Sequence, residues 1–253
     1  MSFNLYKRLI FFLSLTVCLL PIYLPAFLIS RLTFSKLIML YTKKVWSLLV
    51  LKIVGIKLEI SGQRQNCLVY VSNHVSWIDI LVLNSLLDIV FVAKKEVKSW
   101  PGLGILAILA KTIFIERRSL SALKQKNLLE SSLANGQSLC FFPEGTSTDG
   151  LDVSSFKSSL FSICFPKDDQ DYLERSIQPI TLKYTSPLEE EAGFYSFWSE
   201  DDTIFKNIKK IINCPKSGSV EITFHEPLFL KNFKGRKDLS LACFNLIREK
   251  LIL

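Results

Sequence analysis

A run of 21 uncharged residues near the N-terminus limits most strongly what this chain can fold into. Leu9 to Ile29 contains no Asp, Glu, Lys or Arg. At 1.5 Å per residue, a helix of that length spans a bilayer core of about 30 Å. Pro21 and Pro25 lie in its second half, and proline removes a helix hydrogen bond, so a straight helix is not expected there. The run therefore predicts a membrane anchor, either a spanning helix or a re-entrant helical pair broken at the prolines.

Two alternatives to an anchor are a signal peptide and a hydrophobic helix buried in the domain. Lys7 and Arg8 precede the run as in a signal peptide, but no small-x-small cleavage site follows it. A second apolar stretch, Leu37 to Val54, comes next and carries lysines. We interpret it as an interfacial helix whose lysines reach lipid headgroups (Lys43, Lys44, Lys52).

The excess positive charge of the chain lies beside these apolar stretches. The net charge is +8, and residues 1–60 hold eight Lys or Arg and one acid, Glu59. The remaining 193 residues carry 23 basic and 22 acidic groups. A uniformly basic nucleic-acid-binding protein differs from this, so we predict a membrane lipid surface and no nucleic acid as partner. The six cysteines form no CxxC pair, which predicts buried reduced thiols and no metal site.

From Lys57 onward, short apolar runs alternate with segments of helical periodicity. The predicted strands are Lys57–Ser61, Leu68–Ser72, Ile89–Ala93, Thr112–Ile115, Ser138–Phe142, Ile177–Tyr184 and Ser219–Phe224. The predicted helices are Ser76–Leu87, Gly102–Ala110, Leu120–Ala134, Thr203–Ile212 and Lys237–Leu251. Such alternation is typical of an α/β fold, here a mostly parallel sheet flanked by helices, with an N-terminal membrane-anchoring helical segment. We expect the anchor and interfacial helix at residues 1–54 and one catalytic domain at residues 55–253.

His74 is one of two histidines and follows a predicted strand directly, in the segment VSNHVSWIDI. Ser76 and Asp79 have the spacing of a helix capping box, which folds Asp79 back toward the residues just before the helix. Because His74 is one of those residues, the two side chains can pair. An aspartate bonded to one ring nitrogen leaves the other nitrogen as a general base for a substrate hydroxyl. The alternative is a structural histidine at a strand end beside a capping aspartate.

Two further segments place polar groups at the ends of predicted strands. FFPEGT puts Glu144 and Gly145 after one strand, and FIERR puts Arg117 and Arg118 after another. In open α/β sheets, ligands bind at the carboxyl ends of the strands. Guanidinium groups there suit bidentate recognition of phosphate. The three segments together predict one site at this edge of the sheet.

At this point the chain resembles the glycerolipid (lysophospholipid) acyltransferase family, typified by 1-acylglycerol-3-phosphate acyltransferases. Four motifs carry the resemblance, in the order of the family and within about residues 55–230. Their matching residues are Asn73, His74 and Asp79; Phe114, Ile115 and Arg117; Phe142 to Thr146; and Pro179.

The resemblance implies a reaction and a role for each motif residue. A fatty acyl group would move from acyl-CoA or acyl carrier protein to a lysolipid hydroxyl, without a cofactor or metal. By resemblance, His74 is the base, Asp79 its partner and Arg117 a headgroup contact. The remaining motif residues are expected to bind substrate (Glu144, Gly145, Thr146, Pro179). The implied location is the inner, cytoplasmic membrane, with the active site facing the cytoplasm.

One departure from the family pattern concerns the acceptor. Where family members often carry arginine after the threonine of the third motif, this chain has Ser147, followed by Thr148, Asp149 and Gly150. The expected acceptor is 1-acyl-sn-glycerol-3-phosphate, giving phosphatidic acid in phospholipid biosynthesis. Lyso-ornithine lipid or another lysolipid is the alternative, because Thr-Asp-Gly variants of the motif resemble lyso-ornithine-lipid acyltransferases.

Two other function classes compete with acyl transfer. One is a lipid hydrolase, although no G-x-S-x-G nucleophile elbow occurs in the sequence. The other is a non-catalytic, membrane-anchored lipid-binding protein.

Overall fold

A computed structural model of the chain describes residues 3–28, 33–100, 103–116, 128–133, 135–165, 174–197 and 203–253. Within them one sheet contains the strands β1 (Ile56–Gly62), β2 (Val69–Ser72), β3 (Ile89–Lys94), β4 (Ile113–Ile115), β5 (Ser138–Phe141), β6 (Ser176–Thr185), β7 (Gly218–Phe224) and β8 (Leu228–Phe229). The seven predicted strands are all present, each with its ends within one residue of the prediction. β8, which is two residues long, was not predicted.

The sheet is mostly parallel where its pairings are described, as the alternation of elements predicts. The strand order is β1-β7-β6-β2-β5-β3-β4, and β8 pairs with β6 outside this path. β2 runs parallel to β5 and β6, and β3 runs parallel to β5 and β4, whereas β8 is antiparallel to β6. Val71 of β2 lies opposite both Phe141 of β5 and Pro179 of β6. β2 and β5 therefore end side by side, and the segments that follow them emerge at the same edge.

The helices of the described residues are α1 (Phe3–Leu28), α2 (Thr33–Val54), α3 (Ile78–Leu86), α4 (Leu103–Leu109), α5 (Ile204–Asn213) and α6 (Arg236–Ile252). Residues 128–133 are also helical, and the rest of the predicted helix Leu120–Ala134 lies outside the described residues. The other four predicted helices are present. Thr203 caps α5, because its side chain accepts the Lys206 N–H.

Contacts between residues divide the chain into two compact units. The first contains the described residues of Met1–Glu59, Val75–Asp88 and Tyr184–Glu221, and the second those of Ile60–His74, Ile89–Lys183 and Ile222–Leu253. In the first unit, α1 packs on α2, α2 packs on α3, and α1 and α2 both contact α5. These units do not follow the boundary at residue 54, and the division into an anchor and a catalytic domain stays a prediction.

α1 is one continuous helix that includes Pro21 and Pro25, so of the two predicted alternatives a single helix fits and a re-entrant pair broken at the prolines does not. Each proline removes a single N–H from the helix, and membrane helices tolerate such positions. Its segment Ile10–Leu28 is long and apolar enough to cross a membrane, by length and composition, and only 6% of it is buried. The exposed apolar side chains are Ile10, Phe11, Leu13, Val17, Ile22, Leu24 and Leu28. The alternative of a helix buried in the domain therefore does not fit.

A continuous apolar core in the second unit holds the strands that carry the predicted site. It includes buried residues from β2, β5, β6 and α6, among them Val71, Phe141, Ile177 and Ile247. α6 packs against a 3₁₀ helix, Ser158–Cys164, whose Phe161 meets Phe141 edge to face at 5.2 Å between ring centroids. Five of the six cysteines are buried, as predicted, whereas Cys18 on α1 is exposed, so the prediction of burial is wrong for this residue.

Candidate active site

The chain leaves β2 through a side-chain clasp at Asn73. The Asn73 amide nitrogen donates to the Leu182 carbonyl at 2.9 Å, and its amide oxygen accepts the Leu182 N–H at 2.8 Å. Ser72 is the last residue of β2 paired with β6, so the clasp extends this pairing by one step with a side chain. Asn73 is 1% exposed. The clasp therefore fixes the point at which His74 leaves the sheet.

The backbone of His74 is held on both sides by the segment that follows β5. Glu144 Oε1 accepts the His74 N–H at 2.7 Å, and its Oε2 accepts the Ser154 N–H at 2.8 Å. Thr148 donates its N–H and its hydroxyl to the His74 carbonyl, at 2.9 and 3.2 Å. Glu144 is 2% exposed, so backbone donors replace water around its carboxylate. The structure thus joins two predicted site residues, His74 and Glu144.

The imidazole of His74 is fixed by stacking and is open to its surroundings. It stacks on the Phe142 ring with 4.2 Å between centroids and 14° between planes, and Phe142 stacks in turn on Phe91. His74 is partly exposed, whereas its neighbours from residue 69 to residue 76 are buried. A ring held on one face and accessible elsewhere can exchange a proton with a bound substrate.

Asp79 is completely buried at the start of α3. Its Oδ2 accepts the N–H groups of Val75 and Ser76 at 2.7 and 3.0 Å, and Ser76 Oγ accepts the N–H of Ile78 at 3.1 Å. Asp79 makes the half of the predicted capping box that returns to the Ser76 N–H, whereas Ser76 Oγ accepts the N–H of Ile78 rather than that of Asp79, and α3 begins at Ile78. The carboxylate therefore folds back toward the residues before the helix, as its spacing predicts.

Tyr184, at the end of β6, donates its hydroxyl to Asp79 Oδ1 at 2.7 Å. Burial raises the pKa of Tyr184 well above its usual 10, and the Asp79 charge raises it further. The phenol therefore stays protonated and acts as a donor. His74 belongs to the second compact unit and Asp79 to the first. The pairing of these two side chains stays a prediction.

The other predicted site residues occupy different surroundings. Gly145 has a φ of +70° and follows Glu144 in a turn, and the exposed Thr146 comes next. Pro179 is buried inside β6 opposite Val71, upstream of the edge where the motifs meet. Arg117 lies outside the described residues. The substrate contacts of all four residues stay predictions.

Sequence reasoning missed three residues that position the site, namely Thr148, Ser154 and Tyr184. Tyr184 could have been found, because it lies near the end of a strand adjacent to β2, where ligand-binding groups concentrate. Thr148 and Ser154 act through backbone N–H groups, which every residue except proline carries. The backbone contacts therefore gave no signal in the sequence, and Thr148 adds only one side-chain bond to His74, from its hydroxyl to the His74 carbonyl.

Both the sequence and the fold of this chain are similar to those of known proteins. The family model named Acyltransferase matches residues 57–183. The lyso-ornithine lipid O-acyltransferase of Rhodobacter capsulatus is 38% identical over 198 residues, covering 78% of this chain and 71% of that protein. The chain belongs to the Acyltransferase family. The lyso-ornithine lipid O-acyltransferase of Brucella abortus is 32% identical and covers 80% of this acyltransferase and 79% of its own length.

Two further matches are to proteins named as acyltransferases of 1-acylglycerol phosphates, and one of them is a solved structure. The 1-acyl-sn-glycerol-3-phosphate acyltransferase of Neisseria meningitidis is 37% identical, over 44% of this chain and 46% of that protein. The crystal structure of the 1-acyl-sn-glycerophosphate acyltransferase of Thermotoga maritima matches with a TM-score of 0.63 and 18% identity. That match covers 97% of this chain and 95% of the other. The two chains therefore share a fold.

Proposed function

We propose that this acyltransferase moves a fatty acyl group from a thioester, acyl-CoA or acyl carrier protein, to the hydroxyl of lyso-ornithine lipid. The observation that carries the proposal is the bond from the His74 N–H to Glu144, which joins the first and third motifs. The acceptor is supported by the relatives named for lyso-ornithine lipid, which align over 78% and 80% of the chain. A thioester is already activated, so the proposed reaction needs no cofactor or metal.

In the proposed mechanism His74 acts as the general base. The imidazole takes the proton from the acceptor hydroxyl while the hydroxyl oxygen attacks the thioester carbonyl carbon. Asp79 stabilises the imidazolium, and Tyr184 holds the Asp79 carboxylate through its hydroxyl. The carbon–sulfur bond then breaks, and the departing thiolate takes the proton from the imidazolium. Phe142 fixes the plane of the ring during both transfers.

A second candidate acceptor is 1-acyl-sn-glycerol-3-phosphate, which would give phosphatidic acid. Two observations favour it. The Neisseria meningitidis relative is 37% identical, and Arg117 and Arg118 come shortly after β4 in the sequence. In this candidate reaction Arg117 would contact the acceptor phosphate.

We place the enzyme on the cytoplasmic side of the inner membrane. The largely exposed apolar surface of α1 supports an anchoring role for this helix. On α2, apolar side chains spaced by three or four residues share one exposed face (Leu37, Tyr41, Val45, Leu48). Lipid contact would cover this face, with Lys43, Lys44 and Lys52 near the headgroups.

The test uses the full-length protein in detergent, a labelled acyl thioester and lysolipids that differ only in headgroup. His74→Ala lowers kcat by about 10²–10⁴-fold, because the general base is lost. His225→Gln is the matched control at the other histidine, whose ring bonds Thr181 Oγ1 in the described structure. This control retains transfer, and both variants stay associated with membranes.

Each alternative gives a different result in this experiment. Substantial transfer by His74→Ala would remove His74 as the base. Equal release of free fatty acid with and without lysolipid would identify a hydrolase. Binding of lysolipids by intact protein without transfer to any of them would identify a lipid-binding protein. Use of lysophosphatidic acid in preference to lyso-ornithine lipid would favour the second candidate acceptor.

A further inference from the structure

Lys157 follows the third motif in the sequence and contacts it through both its backbone and its side chain. Its N–H donates to the Pro143 carbonyl at 2.9 Å, directly before Glu144. Its side chain lies over Gly145, where a methyl group would be 2.5 Å from Lys157 Nζ and 3.3 and 3.4 Å from Cδ and Cε. The ammonium group is therefore placed over the glycine of the motif.

Gly145 leaves room for this lysine. Its φ of +70° is a conformation that favours glycine, and any Cβ there would displace the ammonium group. The bonds from Ser154 to Glu144 and from Lys157 to Pro143 close the intervening segment into a loop. Both bonds use backbone N–H groups. The position of Lys157 is thus set by the loop that also holds His74.

We propose that Lys157 binds the anionic group of the acceptor headgroup, either the carboxylate of an amino-acid lysolipid or the phosphate of lysophosphatidic acid. This inference rests on the proposed acyl transfer. Residues 147–149 of the segment after the motif, Ser-Thr-Asp, contain no cation, whereas the exposed Lys157 lies over Gly145 of the motif itself. A hydrogen bond between an ammonium and a carboxylate or phosphate is about twice as strong as a neutral one. Lys157 supplies the positive charge that the motif itself lacks.

The experiment compares KM values for acceptors with and without the anionic group. The acceptors are lyso-ornithine lipid and its carboxyl methyl ester, and lysophosphatidic acid and the uncharged monoacylglycerol. The variants are Lys157→Met, Lys157→Gln and the charge-retaining Lys157→Arg. Lys237→Met, at an exposed lysine in the first turn of α6, is the matched control.

We expect Lys157→Met and Lys157→Gln to raise KM for the acidic acceptor by about tenfold, because one charged hydrogen bond is lost. KM for the thioester and for the ester or monoacylglycerol stays unchanged. Lys157→Arg and Lys237→Met behave like the wild type. Each acidic acceptor is compared with its uncharged counterpart. The pair in which KM rises only for the acidic member shows whether Lys157 binds a carboxylate or a phosphate.

Three results would overturn the inference. The first is wild-type KM values in both neutral variants, in an enzyme that still transfers acyl groups. The second is an equal rise in KM for charged and uncharged acceptors. The third is failure of both neutral variants to fold. Each of these two results would indicate that Lys157 has a structural role. Proposed function and inference fail together only if the wild-type enzyme transfers to none of these acceptors.

Discussion

Glu144 connects His74 to the loop after β5 through a carboxylate that an amide cannot replace. Both of its oxygens accept backbone N–H groups, and a glutamine would turn an NH₂ toward one of those donors. We expect Glu144→Gln to lower the free energy of unfolding by about 1–3 kcal/mol, the cost of an unsatisfied buried donor. We expect kcat to fall as well, because the His74 N–H loses its bond to the Glu144 carboxylate. Urea unfolding and initial rates measure the two effects.

Glu226→Gln is the control for this prediction, because Glu226 is an exposed glutamate of the same compact unit. It should leave stability and kcat at the wild-type values. If Glu144→Gln kept full stability while activity disappeared, Glu144 would act on the substrate rather than on the fold.

Apart from the residues of the family motifs, the contacts found from the sequence are those between residues near each other in the chain. The capping box of Ser76 and Asp79 was predictable because helix geometry alone relates residues three apart. The bond between Tyr184 and Asp79 joins residues 105 apart, and only the strand order brings them together. Lys157 was missed for a related reason, since its place over Gly145 depends on how the intervening loop closes.

At the scale of elements, one exposed ion pair connects the loop after β5 to α6. Arg248 donates to both oxygens of Asp152, at 2.7 and 2.8 Å. We expect Arg248→Ala to speed amide hydrogen exchange at Val153 and Ser154, because the loop loses its contact with the helix. Hydrogen exchange read by mass spectrometry or NMR measures this, with Arg236→Ala in the exposed first turn of α6 as control.

The same pair predicts the direction of a pH effect. The hydrogen bond from Arg248 holds the pKa of Asp152 below its usual 3.8. A carboxyl group whose pKa is lower in the folded protein stabilises the fold at pH values above its pKa in the unfolded chain. This stabilisation is lost as the pH falls through the pKa of the folded protein. The difference in Tm between wild type and Arg248→Ala should therefore be constant above about pH 5 and vanish in stronger acid. A difference that grew on acidification would contradict this assignment.

The strands were predictable as elements because each is a short apolar run bounded by polar or turn-forming residues. β8 has two residues, too few to show any periodicity. The sequence predicted an apolar helical segment at residues 9–29 and left open whether it breaks at its prolines, since the cost of proline depends on whether neighbouring turns remain bonded. The Acyltransferase motifs and the strand ends together predicted the meeting of His74 and Glu144.

At the scale of the whole molecule, the exposed apolar surface of α1 leads to a prediction about membrane binding. Leu13 and Val17 are 53% and 63% exposed and lie four residues apart on one helix face. A lysine near the centre of a bilayer costs about 2.5–3.5 kcal/mol. We therefore expect Leu13→Lys combined with Val17→Lys to move the protein from the membrane fraction to the supernatant after centrifugation.

Leu151→Lys is the matched control, because Leu151 is 56% exposed and lies outside the apolar helices. It should leave the distribution between the fractions unchanged. Retention of the double variant in the membrane fraction would show that α1 is not the main anchor.

The grouping of segments into compact units was beyond sequence reasoning. The first unit gathers three stretches of chain separated by long insertions of the second. Hydrophobic periodicity reports which face of an element is buried, but it carries no information on which distant element covers that face. The boundary at residue 54 followed from composition alone and gave no hint of the packing of α2 on α3.

The loop that returns from Glu144 to Lys157 is closed by the backbone N–H groups of Ser154 and Lys157, which bond the Glu144 carboxylate and the Pro143 carbonyl, and this has an evolutionary consequence. The length and register of this loop are constrained by these bonds. Its side chains that make no contact with His74 can change without moving the imidazole. Under the proposed mechanism, the preference for one polar headgroup over another can then change by single substitutions while His74 keeps its place. Enzymes of one architecture can in this way come to serve lipids with unlike headgroups.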